Sequence, residues 1–173
     1  MNKRDAKLDF DGVDPDVGMR LLSCLWNRQH YSGTIVYRPA FMRDMACGGP
    51  YFSKMLLNAI YFAMFGFLTP PQRGGYEDGE QFRRRFEEHL HRDGAAALWK
   101  SEVTTIQALL VVSEALFTWC DERSIAWHYM GIAVTMIVDL GIHVEGSASH
   151  FLKSHSLADM EARRRLFWAA FGK

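Results

Sequence analysis

Apolar positions recur at three- and four-residue intervals along most of the chain, and short polar or Gly/Pro links separate the runs. That period marks helices that bury one face. The first run, Leu21, Leu22, Leu25 and Trp26, follows Asp14-Pro15. Aspartate suits an N-cap and proline the first helical position, so a helix is predicted from there to about His30. Gly33 to Arg38 reads as an extended connector, because Pro39 biases its predecessor away from helix. A short helix from about Pro39 to Ala46 should end at Gly48-Gly49, and Ser53 to Leu68 predicts a second strong helix, apolar on most sides and stopped by the loop TPPQRGG.

Phe82, Phe86 and Leu90 fall four apart and predict a helix from about Asp78 to His91. Glu80, Arg84 and Glu88, with Arg83 and Glu87, make i,i+4 pairs on its other faces, so Arg83 to Arg85 read as a solvated surface. Thr104-Thr105-Ile106-Gln107 matches a capping box and predicts a helix start, with Ile106, Leu109, Leu110, Ser113, Leu116, Phe117 and Cys120 carrying the helix to Asp121. The short link Asp121 to Ser124 connects it only to an antiparallel neighbour. That neighbour, AWHYMGIAVTMIVDLGIH, sets His128, Gly131, Thr135 and Asp139 in one narrow stripe. Its remaining faces are apolar, which predicts a central packing helix covered on most of its circumference, with Gly131 and Thr135 admitting a close neighbour. Gly141 suits the left-handed position past its end.

Val144 to His155 reads as a polar loop, and Ser156 with Asp159 predicts the start of a last helix in which Glu161 and Arg165 pair. No strand pattern and no repeat stands out. The fold expected is all-α, a bundle of antiparallel helix pairs, with residues 1–13 a polar tail and 14–173 the helical body.

Composition narrows the function. At 173 residues the chain makes one domain with a sizeable core, and its 20 Lys plus Arg balance 20 Asp plus Glu. Duplex binding relies on excess positive charge, so this chain itself should not hold DNA. Cys24, Cys47 and Cys120 lie far apart and read as small buried apolar side chains in a reducing compartment. The N-terminus lacks a secretory pattern, which predicts an intracellular protein. Three apolar segments, near Ser53, Thr104 and Ile125, approach the length of a membrane span, but the second holds Gln107 and Glu114 and the third His128 and Asp139. Ionisable groups at bilayer depth are costly, so all three are predicted to be core helices.

Catalytic patterns are weak. His143-Val144-Glu145 has the spacing of a zinc-deaminase motif but lacks the paired-cysteine ligands that chemistry needs, and a histidine past a helix C-terminus has a simpler account in the dipole. His89 and His91 point in different directions from one helix, and Cys47 near Asp44 has no histidine placed to act as its base. No phosphate loop, G-x-S-x-G or HExxH occurs. No enzyme, catalytic residue, metal ligand or bound cofactor is predicted.

Four blocks in order carry a resemblance: Thr105 to Ser113 (TIQALLVVS), Ala126 to Ala133 (AWHYMGIA), Asp139 to His143 (DLGIH) and Glu161 to Trp168 (EARRRLFW). Together they resemble the fungal-specific transcription factor domain, the middle homology region of fungal zinc-cluster regulators. The segment Cys24 to Phe67, with YRPAFMRD, is similar to its beginning, and the series looks closest to nitrate-assimilation regulators. Thr135 stands where the family often has arginine, and Gly172-Lys173 where an acidic residue often follows. The resemblance implies the N-terminal part of a larger helical regulatory domain, truncated at its C-terminus, in a nuclear protein. Zinc and DNA contact would belong to a module missing from this chain, since three scattered cysteines cannot build the six-cysteine cluster. The family-motif residues on this chain are Gln107, Trp127, Gly131, Asp139, Gly141, His143, Glu161, Arg163, Arg164, Arg165 and Trp168.

Such a module works by contacts. Partners implied are transcriptional co-regulators, a second copy, or a small effector for which Trp127 and His128 would line a pocket; a core tryptophan and a satisfied histidine are the plainer reading of both. The other functional class that fits is a helical adaptor or a degenerate fragment. Met160, Phe167 and Phe171 predict the buried face of the last helix, and Arg164 falls on it, so at least one of Arg163 to Arg165 is expected to pack toward the Asp139 end of the preceding helix. The alternative is that all three snorkel along the surface. Leu166, Phe167, Trp168 and Phe171 should form an exposed apolar patch that favours self-association.

Overall fold

The structure, a computed structural model, describes residues 8–27, 35–143 and 156–171. Among them the chain is helical: α1 (Pro15–Asn27), α2 (Arg38–Cys47), α3 (Lys54–Phe65), a 3-10 turn (Pro70–Arg73), α4 (Glu80–Trp99), α5 (Val103–Ala115), a π-helical turn (Leu116–Cys120), α6 (Arg123–Asp139) and α7 (Leu157–Phe171). The first helix's reach to His30, the start of the connector at Gly33, the loop Val144 to His155 and Gly172-Lys173 lie outside the described residues.

Several boundaries follow from the local chemistry anticipated for them. Asp14 Oδ1 accepts the N–H groups of Asp16 (2.9 Å) and Val17 (3.2 Å), which opens α1. Ser53 Oγ does the same for Leu56 at α3, and Ser156 Oγ for Asp159 at α7. At the end of α6, Gly141 takes φ +65°; its N–H donates to Val138 O and that of Ile142 to Ile137 O, the Schellman pattern.

α3 and α5 pack on each other and form the centre. Every α3 residue except Lys54 is buried, as are Thr104 through Ser113 and Ala115 of α5. α1 and α4 cover the outer side of α3, α6 and α7 cover that of α5, and α5 with α6 is the most extensively packed pair. The segment Val103–Cys120 is long and apolar enough to cross a bilayer, but 67% of it is buried within the protein, which accounts for its apolarity.

Four expectations need correction. The helix expected to be capped by Thr104 starts two residues earlier, at Val103 with Glu102 at its N-cap; Thr104 and Thr105 are buried, and Gln107 turns into the core instead of back to the helix end. The capping box occurs in the TPPQRGG loop, between Thr69 and Gln72. α4 runs past His91 to Trp99, although left-handed φ at Gly94 (+69°) and Ala95 (+64°) interrupts its winding. α6 is not the covered central helix: only Ala126, Ala133, Met136 and Ile137 are buried, because α5 and α7 lie against one side of it. The arginines at 83 to 85 are not a simple solvated face. Arg83 Nη1 and Nη2 bind both oxygens of Glu122, the N-cap residue of α6, at 2.6 and 2.7 Å, and its Nε binds Glu87 at 3.0 Å. Arg85 donates to Asp11 O at 2.9 Å, and only Arg84 is fully exposed. Ahead of α1, Val13 is buried, Leu8 and Phe10 pack against the core, and Asp11 accepts from Lys54 and Asn58, each at 2.9 Å.

Candidate functional site

The stripe His128, Gly131, Thr135 and Asp139 faces outward, and with Trp127, Ile132 and Met136 it forms one wall and the floor of an open groove of about 730 Å³. The other wall is Leu98, Trp99 and Ser101, from the end of α4 and the link to α5. Trp99 is 82% exposed and Trp127 65%, so the groove carries two unburied indoles. Trp127 is steadied edge-on by the Phe117 ring at 5.4 Å, and Trp99 Nε1 donates to Gly94 O at 3.3 Å. Gly131 leaves the middle open: nothing lies within 4 Å of where a Cβ would project. Thr135 Oγ1 donates to Gly131 O, which turns its methyl outward from the helix backbone.

Trp127 is therefore a surface residue and not a core tryptophan, and no described helix seats on Gly131 and Thr135. His128 is exposed with Nδ1 at 2.6 Å from Ser124 O, so its ring is satisfied by its own helix. Asp139 stands exposed at the groove's far end. The far wall was not anticipated. The apolar run Ala95 to Trp99 was its only signal in the sequence, and Gly94 separates that run from the stripe of α4.

α7 is oriented differently from expectation. Its buried residues are Ala162, Leu166 and Ala169, while Met160 and Phe171 are exposed and Phe167 only half-buried. Leu166 thus leaves the expected patch, and Trp168 (60% exposed) and Phe171 remain in it. Small residues face the neighbours because α7 must approach α5 and α6 closely. Arg163, not Arg164, reaches the end of α6: its Nη1 donates to Leu140 O at 3.1 Å and its Nε to Asp159 at 2.8 Å. Arg164 is solvent-facing and pairs with Glu161 through Nε and Nη2. Arg165 binds Glu161 at 2.7 Å and lies over the Tyr37 ring. The Arg164 hydrogen bonds, against the opposing effect of burial and with further help from Arg165, hold the Glu161 carboxyl down at about 2.

The remaining sequence candidates have structural roles. Gln107, 2% exposed, donates from Nε2 to Ile35 O at 3.0 Å. Gly141 closes α6, and His143 lies exposed in the turn that follows, with Glu145 of its motif outside the described residues. Cys47, expected to be buried, is exposed, its thiol donating to Arg43 O. Nearby Asp44 is buried and accepts from Tyr51 N–H at 2.9 Å and Arg43 Nε at 2.6 Å. Burial pushes its carboxyl up, but those donors outweigh it and hold the group below its ordinary range. Cys24, Cys47 and Cys120 sit on three different elements, and among the described residues no three His, Cys, Asp or Glu side chains gather as a metal would need. The thiols present do not fit a zinc cluster.

The geometry defines a helical module with an open groove lined by aromatic and small residues. The chain matches the fungal-specific transcription factor domain over residues 22–172 and belongs to that family. It is 30% identical over 161 residues to a transcriptional regulatory protein of Schizosaccharomyces pombe, which covers 90% of this chain and 24% of that protein. To the nitrogen assimilation transcription factor nirA of Emericella nidulans it is 27% identical over 167 residues, 91% of this chain and 18% of nirA. To protein STB5 of Saccharomyces cerevisiae it is 22% identical over 175 residues, 94% of this chain and 23% of that protein. The chain thus spans no more than about a quarter of the length of these relatives. No solved structure matches it. That family is one of transcription factors, and the relatives named are transcriptional regulators by their own descriptions.

Proposed function

We propose that residues 14–173 are the regulatory part of a nuclear fungal zinc-cluster regulator, a part that does not itself touch DNA. The observation that carries this reading is the family match over residues 22–172. Zero formal charge supports it, because a chain with 20 basic and 20 acidic residues has no net field to neutralise phosphates. DNA contact and zinc are assigned to a separate module, and this chain needs no cofactor. The Trp99/Trp127 groove is its working surface, where a co-regulator, a second copy or a small effector would act by contact.

The test is to fuse the full chain to an unrelated DNA-binding module in a fungal cell and measure a reporter placed under that module's site. Reporter output should change relative to the module alone, and Trp127→Asp should reverse the change while the fusion's abundance stays constant. The purified chain should leave duplex DNA unshifted at physiological salt. An unchanged reporter, or a shifted duplex, would remove the proposal.

A further inference from the structure

α7 buries one face and shows a second apolar stripe to solvent. Leu157, Met160, Trp168 and Phe171 are all exposed and, with Arg164 among them, follow one another by three, four, four and three residues, a single line along the helix. The stripe and part of the groove are complementary in size and charge. The stripe offers two rings and a cation; the groove offers an open slot at Gly131, a small side chain at Thr135 and a carboxylate at Asp139 that has no hydrogen bond or ion pair among the described residues.

We propose that two copies of this chain associate by laying the α7 stripe of one in the α6 groove of the other, antiparallel, with Arg164 against the partner's Asp139. The proposal rests on reading the groove as a docking surface and not on the transcriptional role. Register supports it. Arg164 to Phe171 and Asp139 back to Ile132 each run about 10 Å of helix axis, so the two facing segments match in length. With Arg164 set at Asp139, Trp168 falls four residues on, opposite Thr135, and Phe171 three further, opposite Gly131 and Ile132. The two bulky rings meet the two small positions, which is the knob-and-hole condition for close helix approach. Arg164 uses Nε and Nη2 for Glu161, so Nη1 is available to a carboxylate. Within one chain Arg163 meets the end of α6, which leaves Arg164 for the contact between two chains. Exposure of both rings in the single chain gives the association its driving force.

Sedimentation equilibrium on the full chain tests this. Concentration-dependent dimers are expected. Trp168→Asp and Gly131→Arg should each weaken association at least about tenfold; Gly131→Arg has room in the single chain, since nothing lies within 4 Å of that position. Arg164→Asp and Asp139→Arg should each weaken it about tenfold, and the double reversal should restore it. Thermal midpoints measured at dilution show whether each variant is folded, and if Gly131→Arg unfolds, Trp168→Asp decides. A chain that stays monomeric up to about 1 mM overturns the proposal. So does a dimer indifferent to these substitutions, or a monomer whose groove takes only a co-regulator helix or an aromatic effector. The reporter assay is unaffected by those failures, so the two readings fall separately.

Discussion

Gln107 joins two parts of the chain far apart in sequence through a single buried hydrogen bond, from its amide to the Ile35 carbonyl, while its own Oε1 has no partner among the described residues. Gln107→Met keeps the volume and orphans that carbonyl, and should cost about 1–3 kcal/mol in urea unfolding. Tyr61 is the converse. Its buried hydroxyl has no partner among the described residues and burial pushes its pKa up, so Tyr61→Phe should change stability by less than about 0.5 kcal/mol or raise it slightly. Glu161 gives the chain a pH dependence. Its folded value, near 2, lies below its ordinary 4.5, so protons bind the unfolded chain first. Its stabilisation is complete above about 4.5 and fades as pH falls toward 2. Glu161→Gln should flatten that part of a pH–stability curve; an unaltered acid limb would show that the arginine pairs contribute nothing. Gly49 is forced by contact, because a Cβ there would run into the Asp44 carboxylate.

Several helix ends were legible because their closing chemistry is local. The caps at Asp14, Ser53 and Ser156 and the glycine stops at Gly48 and Gly141 each depend on a side chain or backbone freedom within a few residues of the end. Gly141→Ala should therefore destabilise by about 1 kcal/mol with no steric clash, through φ alone. Ends set by distant packing were not legible. The Thr104 signal fell on a buried turn because Gln107 found a partner on another segment. One of the three arginines does reach the Asp139 end of α6, but it is Arg163, and Arg164 does not lie on a buried face, because helical periodicity does not say which of two apolar faces turns inward. Arg83 bridges α4 to the start of α6 for the same reason: nothing in its sequence neighbourhood points to Glu122. A double-mutant cycle on Arg83→Ala and Glu122→Ala should return a coupling of about 1 kcal/mol, the value expected for a well-formed bidentate pair at a partly exposed site.

At the scale of the molecule, α3 and α5 are enclosed on nearly all sides and α6 on one. Leu109→Ala in the enclosed pair should cost about 2–5 kcal/mol, whereas Trp127→Ala on the open face should cost less than 1 kcal/mol despite the larger side chain removed. Equal losses would mean that the groove is closed in solution. Composition and periodicity carried the helical class and the helix count along most of the chain, because apolar spacing and terminal capping act over one or two turns and are written in adjacent residues; the family came only from the resemblance of four ordered blocks. Which apolar stretch became the centre, which arginine turned inward and that two tryptophans line opposite walls of an open groove were settled by packing, since an all-round apolar helix suits the middle or the edge of a bundle equally until its neighbours are in place.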